Sequence, residues 1–77
     1  MDMRALVGRN VRKARLAKRL TQERLADLSG FSQQYLSDLE RGKRNPTVVT
    51  LWELAQVLGV TPVDLITPDE EAVAPRG

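Results

Sequence analysis

The chain contains neither cysteine nor histidine. The first absence removes disulfides, thiolate metal sites and cysteine nucleophiles, and suits a reducing compartment. The second removes the usual general base near neutral pH and with it the Ser-His-Asp arrangement; together the two gaps eliminate most zinc chemistry. Aromatic residues are almost missing, with one Phe, one Trp and one Tyr in 77 residues, so a core must be built mainly from Leu, Val and Ala. No apolar run approaches the roughly 20 residues that span a bilayer, and "MDMRALVGRN" has no signal-peptide apolar segment. The expectation is a soluble cytoplasmic protein without cofactor, metal or small-molecule ligand. Catalysis is a poor reading, because Glu70 and Glu71, adjacent carboxylates, have no partner in sequence.

What is present fits one small domain. A chain of this length buries only about 60 to 65% of its unfolded surface and has no material for a second core. Apolar residues at 42% and charged residues at 29% are near the globular average. The formal charge of +2 conceals a segregation along the chain. Arg4, Arg9, Arg12, Lys13, Arg15, Lys18, Arg19 and Arg24 face Glu23 alone, whereas beyond Thr61 the acids Asp64, Asp69, Glu70 and Glu71 face only Arg76. Such a division gives one part of the surface a positive field, as a polyanion binder requires. A basic amphipathic first helix is also compatible with a membrane surface, but it runs directly into further helices.

The periodicity predicts five helices. Residues 4 to about 19 carry Leu6, Val7, Val11, Ala14 and, at the edge of the set, Leu16 at helical spacing, with Gly8 as the one weak former. Thr21 caps a second helix with Leu25, Ala26 and Leu28 inward, ended by Gly30; Ser32 caps a third, 33–41, stopped by Gly42. Thr47 starts a fourth, whose Leu51, Leu54, Ala55 and Leu58 make the cleanest apolar stripe, with Gly59 as its stop. Thr61-Pro62-Val63-Asp64 combines a capping box with Pro at the first helical position, so a short fifth helix runs to about Ile66. The expected fold is all-α and compact, with a helix-turn-helix formed by helices two and three; residues 1–66 form the domain and 67–77 an acidic tail.

The third helix poses the functional question. At 100° per residue, Gln33, Gln34, Ser37, Asp38 and Arg41 lie within roughly 140° of arc, opposite Tyr35, Leu36 and Leu39. A polar helix face is ordinarily just solvated, and such faces favour Glu and Lys. Glutamine instead presents a donor and an acceptor together, matching the N6 donor and N7 acceptor of adenine in the major groove. Both glutamines stand in the first turn, the part of a recognition helix that reaches base edges.

The segment "LTQERLADLSGFSQQYLSDLERGKRNPTVVTLWELAQVLGV", residues 20–60, resembles the helix-turn-helix family of phage repressors and Cro proteins and the small regulators related to them. Its ordered elements are "TQ" before "LA", "SG" at the turn, "SQQYLS", "ERGKRNP" and "LWELAQVLGV", and the likeness extends from Arg15 to Leu65. The resemblance implies a five-helix, lambda-repressor-like DNA-binding domain. It implies that Gln22 binds a phosphate and braces the first glutamine of helix three, that Gln33 and Gln34 read bases, and that Ser32 and Ser37 touch backbone or base edges. Lys43, Arg44 and Asn45 match a loop lying against phosphates, and Arg41 ends the same polar face. Tyr35 is either such a contact or half-buried packing. Arg15 and Glu40 match a partly buried ion pair that holds helix one to helix three, with a phosphate as a further partner for the arginine. Asp38 departs from the pattern: an aspartate repels phosphate and reads only a cytosine amino group.

The partners so implied are a double-stranded DNA operator and a second copy of the chain, with Val57, Val60, Val63, Leu65 and Ile66 as apolar surface for a homodimer. A phage-type repressor, a restriction-modification controller and an antitoxin share this sequence pattern, and a domain that binds only protein stands beside them. The bases of "KARLAKR" and "RGKR" on both sides of helix three favour DNA.

Overall fold

The computed structural model describes residues 2–68. Its elements are α1 (Met3–Ala17), α2 (Gln22–Ser29), α3 (Gln33–Glu40), α4 (Val48–Leu58) and α5 (Pro62–Ile66). The expected acidic tail, apart from Thr67 and Pro68, lies outside the described residues. Among the described residues no helix is long and apolar enough to cross a membrane.

Each helix begins where a side-chain oxygen meets an orphan backbone N–H. Thr21, Ser32, Thr47 and Thr61 accept from Arg24, Tyr35, Thr50 and Asp64, three residues on in every case. The Thr61–Asp64 capping box is reciprocal, and Pro62 opens α5. Asp2 caps α1, accepting from the N–H groups of Arg4 and Ala5. Glycines in the left-handed region follow α2, α3 and α4, at Gly30, Gly42 and Gly59. α1 ends differently. Arg19 takes the left-handed position with φ 61°, while Leu20 N–H donates to the Arg15 carbonyl at 3.0 Å, closing the last turn. α3 ends one residue earlier than its apolar pattern suggests, with Arg41 as its cap.

The core is almost entirely aliphatic: Val7, Val11, Leu25, Leu36, Leu39, Leu54, Ala55, Leu58 and Leu65 are buried together. α1 packs on α3 and α5, α2 on α3 and α4, and α4 on α5. Leu28, expected inward, is exposed. The inward face of α2 is centred nearer Ser29 and Gln22, which puts Leu28 about 100° off it. Leu65 is wholly buried and Val57 and Val60 pack against the core, so of the apolar residues expected to be spare only Val63 and Ile66 are exposed. The fifth helix is therefore an inner wall as much as a surface.

Two α1 residues fix how the helices cross. Gly8 is buried, and a Cβ there would come within 2.8 Å of the Glu40 carbonyl oxygen and nearer still to that of Leu39. It marks the closest approach of α1 to the end of α3. Asn10 is also buried, and its amide donates to the carbonyls of Leu65 at 3.1 Å and Thr67 at 2.9 Å. That pair of bonds satisfies the C-terminal end of α5 from α1 and ties Thr67 to the domain.

Candidate nucleic-acid interface

The packing of α1 against α3 creates the site's foundation. Arg15, buried on α1, donates from Nε to Oε2 of Glu40 at 2.7 Å and from Nη2 to Oε1 at 3.0 Å, a bidentate pair. Its Nη1 donates to the Leu20 carbonyl at 2.8 Å. Every nitrogen of the guanidinium is thus engaged inside the protein, with one further N–H left on each of Nη1 and Nη2. Hydrogen bonding to Glu40, above all, raises the Arg15 pKa, against the opposing effect of burial. The residue stays charged at any working pH.

Gln22 completes this group, with its Nε2 donating to Glu40 Oε1 at 3.1 Å. This bond directs the Gln22 amide nitrogen to Glu40. A carboxylate can only accept, so the amide nitrogen must face Glu40, leaving one N–H and the carbonyl oxygen for other partners. Arg12, Arg15, Gln22, Ser37, Glu40 and Arg41 line a shallow hollow at this place.

Above the foundation lies the outer face of α3. Ser32, Gln33 and Gln34 are exposed at its start, while Ser37 and Asp38 are partly covered. Lys43, Arg44 and Asn45 are exposed in the loop that follows. Tyr35 is half-buried, stacked on Phe31 with ring centroids 5.4 Å apart, and packed against the core. The Arg44 guanidinium sits over the Tyr35 ring, 5.4 Å from its centroid. Tyr35 is thus a packing residue that carries a cation.

Asp38 is the residue whose surroundings the sequence left unread. Its Oδ1 accepts from Gln34 Nε2 at 3.0 Å and from Arg41 Nη2 at 2.8 Å, and its Oδ2 lies 3.6 Å from Arg44 Nη2. The Arg41 hydrogen bond, followed by that of Gln34, holds its carboxyl below the usual aspartate range. A depressed carboxyl keeps its charge, and the stabilisation from it, above the ordinary aspartate range and loses both only in acid. The spacing carried a signal: Gln34 is four residues before Asp38 and Arg41 three after it, which are neighbours on a helix surface.

The sequence model of the helix-turn-helix family matches residues 11–65. The chain is similar to the HTH-type transcriptional regulator y4dJ of Sinorhizobium fredii (strain NBRC 101917 / NGR234), with 65% identity over 71 residues that cover 92% of each protein. Its fold is similar to that of the restriction-modification controller protein C.AhdI from Aeromonas hydrophila, at 40% identity and a TM-score of 0.77, covering 80% of this chain and 94% of that one. It is also similar to the biofilm master regulator SinR, whose structure is a complex with DNA, at 29% identity and a TM-score of 0.76, covering 79% of this chain and 98% of that one.

Proposed function

This chain belongs to the helix-turn-helix family, whose members similar to it are transcriptional regulators, and from that premise we propose that it binds a double-stranded DNA operator sequence-specifically, as a repressor. α3 enters the major groove, residues 1–66 being the DNA-binding domain and 67–77 an acidic tail. The observation that carries this reading is the placement of two exposed glutamines in the first turn of a capped helix, with exposed Lys43, Arg44 and Asn45 beside it. Gln33 and Gln34 read base edges. Ser32 and Ser37 touch backbone or bases. Arg41, Lys43, Arg44 and Asn45 bind phosphates, and Gln22 offers its second amide hydrogen to another. The likeness to SinR, whose structure is a complex with DNA, supports DNA as the partner.

Two kinds of contact give two signatures. Gln33→Ala should cost about 1 to 3 kcal/mol on the preferred site and relax preference at one base position. Lys43→Ala should weaken binding to all duplexes alike and reduce the slope of log affinity against log salt by about one. Both are read in one set of anisotropy titrations on preferred and random duplexes at several salt concentrations. Equal losses on the two duplexes for Gln33→Ala would refute its role.

A module of this kind buries only about 600 to 1,000 Å² on DNA, which is small for selective binding, so the working form is a homodimer on a two-fold symmetric operator in the nucleoid. Val63 and Ile66 on α5 are exposed, and Val48, Val49 and Trp52 on α4 add apolar surface that the sequence had not marked out. Sedimentation should show two chains per operator; a single chain saturating an isolated half-site would count against the dimer.

A further inference from the structure

The carboxylate of Asp38 sits on the outer face of α3 but is only 19% exposed, because three side chains close around it. One of them, Gln34, is a proposed base reader. An amide beside a carboxylate has no freedom of orientation, since only its nitrogen can donate to an acceptor. With Nε2 held by Asp38 Oδ1 at 3.0 Å, the Gln34 carbonyl oxygen is left free to face outward. The other two are Arg41 and Arg44, at 2.8 and 3.6 Å. Arg44 is further confined over the Tyr35 ring.

We propose that Asp38 is a specificity-determining positioning residue: it fixes the Gln34 amide so that an acceptor meets the base, and holds Arg41 and Arg44 in place so that they meet phosphates only in the docked register. This rests on the reading of α3 as the element that enters the major groove. Its chemical consequence is selective. An outward carbonyl oxygen with one remaining N–H suits a base that offers an amino group in the major groove, adenine through N6 or cytosine through N4. Guanine and thymine offer only acceptors there, so they can use the remaining N–H but leave the outward oxygen without a donor and are disfavoured. A free glutamine would turn its amide and accept either class. The negative charge acts in the same direction: it lowers attraction to every duplex equally, and only a sequence that satisfies Gln34 recovers the loss.

The test compares the full chain with Asp38→Ala, Gln34→Ala and the double variant, on the duplex selected by the wild type and on random duplex. The position read by Gln34 is the one where Gln34→Ala relaxes preference. Asp38→Ala should lower discrimination at that position by about five- to tenfold. It should leave the Gln33 position unchanged and add nothing in the Gln34→Ala background. It should also raise affinity for random duplex, with a salt slope steeper by about one as the arginines are released. Asp38→Asn, whose amide offers a donor as well as an acceptor and so no longer fixes Gln34, should lose both the preference and the weak random binding, and it serves if the alanine variant unfolds. Unchanged discrimination, or equal loss at the Gln33 and Gln34 positions, would overturn the proposal. If the wild type itself does not distinguish selected from random duplex, the reading of α3 fails and not this inference alone.

Discussion

Glu40→Ala should unfold the domain more readily by about 3 to 5 kcal/mol. Glu40 is the sole acceptor for two of the three donating nitrogens of buried Arg15 and also holds Gln22. Their side chains are 10% and 4% exposed for Arg15 and Glu40, so water does not replace what is lost. A surface pair would be worth less than about 1 kcal/mol, and it is burial that separates the two cases. Since a domain of this size is stabilised by roughly 4 to 12 kcal/mol, the change removes a large part of the total. The melting temperature should fall by about 15 °C or more, measured by circular dichroism. Replacing both partners with apolar residues, Arg15→Met with Glu40→Leu, should be far milder, because no charge remains without a partner. The raised arginine pKa implies that Arg15 keeps its charge, and its share of the stabilisation, through neutral pH and loses it only above the ordinary arginine range. A loss near zero for Glu40→Ala would contradict the structural role given to the pair.

Gly8→Ala has opposite expected signs according to which effect governs. Helix propensity alone favours alanine by about 1 kcal/mol in a helix interior. Against that, the new Cβ would stand 2.8 Å from the Glu40 carbonyl oxygen, and the obstacle is backbone, which cannot rotate away. Overpacking of this sort costs about 1 to 3 kcal/mol and more where the main chain must move, so we expect a net loss of about 2 kcal/mol in urea unfolding. α1 should be pushed from the end of α3, disturbing Glu40 and the residues after it, and DNA affinity should fall with stability. A more stable Gly8→Ala variant would show that α1 and α3 do not cross here.

These two residues also show what a linear reading captures. Caps and stops were legible because they are local: Thr21, Ser32, Thr47 and Thr61 each serve a backbone N–H three residues away. Apolar periodicity located the core face of α4 for a similar reason. Gly8 read as a weak helix former because the reason for a glycine there is another helix, far along the chain. Asn10 was passed over, although it stands four residues after Leu6 and four before Ala14, on the apolar stripe; a polar residue in that place signals a buried hydrogen bond. Arg19 in the left-handed region offered no signal, since that position is normally glycine. The burial of Leu65 is not legible in the sequence, because a five-residue helix is too short for periodicity to tell inside from outside.

At the candidate interface, residue types and order were legible and their pairings less so. Gln33 and Gln34 are exposed and Tyr35 half-buried, as the phase of α3 dictates. Gln34 and Arg41 stand at helix-neighbour spacing from Asp38, but which donors the carboxylate holds depends on side-chain rotamers and, for Arg44, on the loop after α3, so the closed ring is visible only in three dimensions.

The central claim is that the outer face of α3 reads duplex sequence. Selection from a random pool of double-stranded DNA by the full chain, at low ionic strength, tests it most directly. The account predicts recovery of a two-fold symmetric motif with half-sites about one helical turn apart. Retention of no duplex, or recovered sequences indistinguishable from the starting pool, would contradict it.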